Sequence, residues 1–272
     1  MITLHWHTEP GLILLLIGFG WFYSIVCGPL RNRIAPGEAF TPWRFFSFIL
    51  GLITTYMTVG SPLDQIGEQF LFTAHMVQHE LLIYIIPPLL LWGTPVWLAD
   101  WLLKPKAVLK VWKFLAHPVP AGVLFTFVFS IWHIPGLYEA ALKSKPIHLL
   151  EHVTMFVTAF MMWQPLLSRS TLVPPIPYGA QMLFVFVLMV GQLPVFAFLT
   201  LSDEVFYPTY EFAPRLEFLA IPPLRDQVLG GIIMKICNMV FSLIIFGTAW
   251  YGWVKRSESE AAIQIAKVKK LR

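Results

Sequence analysis

The sequence predicts an all-α integral membrane protein with seven transmembrane helices, the N-terminus outside and the C-terminus in the cytoplasm. Three observations predict it. Of the 272 residues, 57% are hydrophobic and only 12% are charged, with mean hydropathy +0.69, whereas a soluble domain carries about 25% charged residues. Seven apolar runs approach the ~20 residues that a helix needs to cross the hydrocarbon core. The basic residues between those runs also fall mainly on one side.

The seven runs are 11–30, 43–60, 70–92, 119–133, 147–167, 179–201 and 227–254, within a single membrane domain spanning 1–272. The first ten residues hold no Lys or Arg, so a basic signal-peptide region is absent and run 11–30 is expected to stay as a helix. The segment 93–118 carries Lys104, Lys106, Lys110 and Lys113 beside Trp97, Trp101, Trp112 and Phe114. It reads as an amphipathic stretch on the inner membrane surface. Gly191 and Pro194 should kink the sixth run. Segment 202–226 contains Pro208, Pro214, Pro222 and Pro223 and reads as an ordered loop over the outer face. The tail 255–272 is polar and basic, suited to an anionic lipid surface.

Orientation follows from the count of basic residues. With the C-terminus inside, the inner set is Arg31, Arg33, Arg44, Lys104, Lys106, Lys110, Lys113, Arg169, Lys255, Arg256, Lys267, Lys269, Lys270 and Arg272, against Lys143, Lys145, Arg215 and Arg225 outside. Basic residues are scattered over loops and tail with no nucleic-acid-binding motif. Cys27 and Cys237 lie in different runs with no CxxC, so they read as small buried hydrophobes rather than a thiol metal site.

The chemistry lies in the histidines. His75 and His79 are four residues apart within one run, as are His148 and His152 at the start of another, and His133 ends a third. Residues at i and i+4 share a helix face, so each pair can address one metal ion. In the predicted topology all five fall on the outer side. His5 and His7, also outside, could capture metal at an entrance, although no role is the expected one. Imidazole suits copper, zinc, iron and nickel. Glu80, Glu151, Met76, Asp64, Asp226 and Lys235 are alternative ligands or partners of the ligands. Lys235, alone in the last run, needs a counter-charge, and Glu80 or Glu151 lies at a matching depth. H-E-x-x-H is absent; the sequence reads H-M-V-Q-H-E.

Several stretches taken together resemble a known family: Ser61-Pro62-Leu63-Asp64, Ala74 to His79, Pro87-Pro88-Leu89 with Gly93-Thr94-Pro95, Trp132 to Tyr138, His148 to His152, and Asp226 to Gly231. They are similar, in the same order, to the Bacillus-type CtaG family of polytopic assembly factors for caa-type cytochrome c oxidase. An acid stands at Glu80, where that family usually has an apolar residue. The resemblance implies a multi-pass protein of the bacterial plasma membrane that matures an oxidase and has a copper role, with the family's histidine motifs falling on His75, His79, His133, His148 and His152.

The expected function is non-enzymatic. An outward-facing histidine cluster binds copper, Cu(I) or Cu(II), and delivers it to a haem-copper oxidase subunit in the bilayer. The alternatives are a haem-binding redox protein, a copper transporter, a zinc-dependent intramembrane hydrolase, and a scaffold whose histidines are structural.

Overall fold

A computed structural model describes residue 6, residues 10–215 and residues 220–270; His5 and His7 lie outside the described residues. Regular structure is helical throughout: α1 (Pro10–Cys27), α2 (Arg31–Ile34), α3 (Pro42–Val59), α4 (Pro62–Gln69), α5 (Phe72–Glu80), a π-helical turn (Leu81–Ile85), α6 (Ile86–Gly93), α7 (Val96–Leu103), α8 (Lys106–Leu115), α9 (Pro118–Trp132), α10 (Pro135–Lys143), α11 (Lys145–Leu167), α12 (Tyr178–Gly191), α13 (Leu193–Thr200), α14 (Pro208–Glu211) and α15 (Pro223–Lys270).

Among the described residues, four stretches are long and apolar enough to cross a membrane: Pro10–Cys27, Phe72–Gly93, Tyr178–Thr200 and Pro223–Val268. Two bent pairs raise the number to six: Pro42–Val59 with Pro62–Gln69 (41°), and Lys106–Leu115 with Pro118–Trp132 (65°). The difference from seven has physical causes. The run 147–167 forms α11, whose 23 residues extend about 34 Å at 1.5 Å per residue. It carries buried His148, Glu151, His152 and Gln164, which lower its hydropathy. The run 119–133 forms α9, only 15 residues long, and gains membrane-spanning length only with α8 across the bend.

The bundle is inverted relative to a soluble protein. Leu14, Ile17, Trp21, Phe46, Phe127, Leu183 and Leu243 point outward, while His75, Gln78, His79, Glu151, Gln192 and Asn238 are buried. An apolar exterior suits lipid; polar groups are kept inside, where other protein groups can meet them. α5 and α6 lie at the centre. α15 packs on α5 and on α12 and α13, α3 packs on α6, and α11 packs on α6, the π turn and α9. A Cβ added to Gly230 would stand 2.5 Å from the Phe72 ring, so the absence of a side chain there is what lets α15 approach α5 so closely.

Two interactions fix α5 and α6. Leu71 offers α5 no side-chain cap. Instead, the Phe72 and Thr73 amides donate to the Asp226 carboxylate on α15 at 2.7 and 3.0 Å, which satisfies the exposed amides and places a negative charge at a helix N-terminus. The π turn follows from Pro87 and Pro88. Proline has no N–H, so the carbonyl four residues before Pro87, that of Ile83, loses its helical donor. The Trp163 indole N–H on α11 donates to that carbonyl at 2.7 Å.

The sixth run breaks at Gln192 between α12 and α13, where Gly191 and Pro194 stand. Segment 202–226 is ordered over its described part through α14, with Tyr207 and Tyr210 buried against the bundle. In α8, Val108, Val111 and Phe114 form one exposed apolar face, opposite the lysine positions.

Trp163→Phe keeps the aromatic volume but removes the donor to the Ile83 carbonyl. It should cost on the order of 1–2 kcal/mol, read as a lower midpoint in detergent denaturation, with helix content in circular dichroism unchanged.

Candidate metal centre

The five predicted histidines come from three helices and converge at one end of the bundle. His75 and His79 lie on α5, His148 and His152 on α11, and His133 at the C-terminal end of α9. All are buried. Neighbouring ring centroids are 4.1 to 6.0 Å apart, from His148–His152 to His79–His133. Rings this close leave no gap for a macrocycle between them, which disfavours haem as the group they hold.

Glu151 sits among them. Its Oε1 lies 3.5 Å from His79 Nε2 and its Oε2 lies 3.8 Å from His75 Nε2, while the two Nε2 atoms are 3.0 Å apart. His75, His148, Glu151 and His152 each offer a ligand atom within 4.8 Å of the other three. His79 adjoins this group through His75 and Glu151, and His133 adjoins His79.

The protonation pattern can be worked out from the surrounding groups. The Tyr210 hydroxyl has one proton, and it donates to the Gly67 carbonyl at 2.6 Å, a group that can only accept. His75 Nδ1, 3.2 Å from the same hydroxyl, must therefore donate. Neutral His75 then has a lone pair on Nε2, the atom facing His79 and Glu151. His133 Nδ1 is 2.5 Å from the Phe129 carbonyl, so it too carries the proton and its Nε2 a lone pair. His148 Nδ1 is 2.7 Å from the Glu68 carboxylate, with the same outcome. Outer hydrogen bonds of this kind fix the tautomer of metal-ligating histidines.

What remains inside is a set of buried polar atoms without partners. His133 Nε2, His148 Nε2, His152 Nε2, His79 Nδ1 and both oxygens of Glu151 have no hydrogen-bond partner. Each such group costs about 1–3 kcal/mol when left unmet. A metal cation meets several lone pairs at once, so the residues present fit a metal ion. Imidazole nitrogen with one carboxylate suits copper or zinc.

The other sequence candidates are distributed as follows. Met76 packs in the apolar core against Phe72 and its neighbours. Asp226 caps α5 and is not among the converging ligand atoms. Glu80 is buried with Cys237 as its side-chain partner, on the side of Tyr84 and Asn238. The expected pairing of Lys235 with Glu80 or Glu151 is not seen. Its ammonium lies 5.3 Å from the Phe196 ring, and no ion pair to it occurs among the described residues. Cation–π contact and a half-exposed stem take the place of the counter-charge. Asp64 accepts from Gln78 Nε2 at 2.8 Å and belongs to a neighbouring group with Glu68 and His148.

Sequence reading missed Tyr138, Tyr207, Tyr210 and Glu68. Tyr210 meets Tyr138 at 2.9 Å, and the Tyr207 hydroxyl donates to the His133 carbonyl at 2.9 Å. Glu139 anchors this lid, accepting from the Thr209 amide and hydroxyl at 2.9 and 2.8 Å. The available signal was a prolonged loop, 202–226, with Tyr207 and Tyr210 on either side of its first proline, Pro208.

Comparison with known proteins gives a coherent relationship. The family described as cytochrome c oxidase caa3 assembly factor (Caa3_CtaG) matches residues 21–256. The uncharacterized proteins Mb0105 of Mycobacterium bovis and MT0111 of Mycobacterium tuberculosis are each 26% identical over 243 residues, covering 80% of this chain and 34% of theirs. ML1998 of Mycobacterium leprae is 22% identical over 275 residues, covering 92% of this chain and 39% of its own. The chain thus spans little more than a third of the length of these curated relatives. No solved structure matches it.

Tyr210→Phe removes the acceptor for His75 Nδ1–H and frees the tautomer. Copper or zinc affinity of the purified protein, measured against a competing chelator, should fall about 10- to 100-fold, while size-exclusion behaviour stays that of the wild type.

Proposed function

The chain belongs to the cytochrome c oxidase caa3 assembly factor family, and on that premise we propose that it is a non-enzymatic factor that binds copper and hands it to an oxidase subunit in the bacterial plasma membrane. The observation that carries this reading is the convergence of His75, His148, Glu151 and His152, with buried polar atoms left unmet. His79 and His133 complete the cluster. Copper is cargo here, not a resident cofactor.

The chemistry of the site supports transfer. Neutral imidazoles and a single carboxylate hold a divalent or monovalent copper ion without the thiolates that would make release slow. His75 and His133 are held by hydrogen bonds on their far nitrogens, so ligand exchange requires no proton to leave those rings. Seven spans with the histidine end outward form part of the same proposal. It is supported by the basic-residue asymmetry and by the length of α11. A cluster at that end would face the side from which an oxidase subunit's copper sites are reached. The hydrolase alternative lacks support: Glu151, its natural general base, sits among the ligand atoms rather than beside them.

His79→Ala/His152→Ala should abolish chelator-resistant copper retention by the detergent-purified protein. In cells it should lower oxidase copper content and activity at least about tenfold. Normal oxidase copper content and activity in that strain would sink the proposal.

A further inference from the structure

The histidine cluster has a neighbour. Asp64 and Glu68 on α4 and His148 on α11 each offer a ligand atom within 4.8 Å of the others. They border a cavity of about 370 Å³ that is also lined by Lys145 and His152. His148 is common to this group and to the buried one. Its Nδ1 is 2.7 Å from Glu68, its ring lies 5.3 Å from His75 and 4.1 Å from His152, and its Nε2 is buried without a hydrogen-bond partner.

We infer that Asp64, Glu68 and His148 form a separate cation site at the mouth of the cluster, which takes a divalent first-row metal ion and passes it inward through the shared His148. The inference rests on the reading of the inner cluster as the receiving site. One carboxylate is enough to orient an imidazole. A second carboxylate, with a ligand atom within 4.8 Å of the other two, adds an oxygen ligand beyond what orientation needs. Asp64 is also held in place: Gln78 Nε2 bridges it, at 2.8 Å, to the Thr58 carbonyl, also at 2.8 Å. On the same cavity wall, His152 is more than nine-tenths buried, and its Nε2 has no hydrogen-bond partner. The wall therefore leads from oxygen ligands to nitrogen ligands. Oxygen ligands suit capture of a hydrated divalent ion and imidazoles suit its retention. Because His148 serves both groups, the two positions are used in succession.

The test uses the full chain in detergent, with copper(II) and zinc(II) salts as probes and a colorimetric chelator reporting bound metal and loading rate. Asp64→Asn/Glu68→Gln should still bind one equivalent but load about tenfold more slowly or worse. His75→Asn/Glu151→Gln should retain one equivalent that the chelator removes readily, and the fourfold variant should bind none. Loading of Asp64→Asn/Glu68→Gln at the wild-type rate would overturn the mouth site and leave the inner centre standing. Metal held by His75→Asn/Glu151→Gln but not by Asp64→Asn/Glu68→Gln would sustain the mouth site and remove the inner one. Circular dichroism and size exclusion check folding. Glu68→Gln alone is the milder variant, in which the slowing should persist.

Discussion

A single hydroxyl proton sets the chemistry of the site. Tyr210 gives its proton to the Gly67 carbonyl, so it can only accept from His75, and the free nitrogen of His75 faces the interior of the cluster. The same logic repeats at the Phe129 carbonyl and at Glu68. In each case an acceptor outside the cluster draws the imidazole proton outward. The interior is left with more lone pairs than donors: His79 Nε2–H meets His75 Nε2 at 3.0 Å, and the other buried nitrogens and the Glu151 oxygens have no partner. In a low-dielectric bundle that arrangement is unfavourable unless a cation takes part.

The scaffold keeps this arrangement by tying each element that bears a ligand to a distant one. α5 is capped from α15 by Asp226. The π turn that follows α5 is held by Trp163 of α11, the helix that carries His148, Glu151 and His152. Close approach of α4 to α5 is what brings the Gly67 carbonyl within reach of Tyr210: a Cβ at Gly67 would stand 3.0 Å from the His75 amide nitrogen. The lid from 202 onward then covers the cluster through Tyr207 and Tyr210, themselves fixed by Glu139 and Thr209.

Local periodicity accounts for what the sequence made legible. Two H-x-x-x-H pairs need only a helix to place each pair on one face, and runs of apolar residues need only a bilayer. The five histidines could therefore be brought to one end before any contact was known. Their protonation could not, because it depends on pairings such as His75 with Tyr210, 135 residues apart. Asp226 looked like a possible ligand because an acid near the site is ambiguous in sequence; its role as a cap depends on the unmet amides of α5. Lys235 was assigned a carboxylate by depth alone, and depth says nothing about which face of α15 it occupies. The shortfall in apolar spans has the same origin. α11 is the helix on which polar residues accumulate, so the feature that makes it interesting chemically also lowers its hydropathy.

The bundle keeps two polar zones apart along α5 and the turn below it. Above the turn lie the histidines and Glu151. At the level of the turn, Asn238 donates to the Tyr84 hydroxyl at 2.9 Å, near Gln192, and Glu80 at the end of α5 meets Cys237. Ile83, Met155 and Met162 are fully or almost fully buried between α5, α11 and their neighbours, and this apolar packing argues against a continuous aqueous path from one zone to the other. A protein that moved an ion across the membrane would need polar groups along the whole depth. One that receives an ion and returns it on the same side needs them only at one end, and that is where His75, His79, His133, His148 and His152 lie.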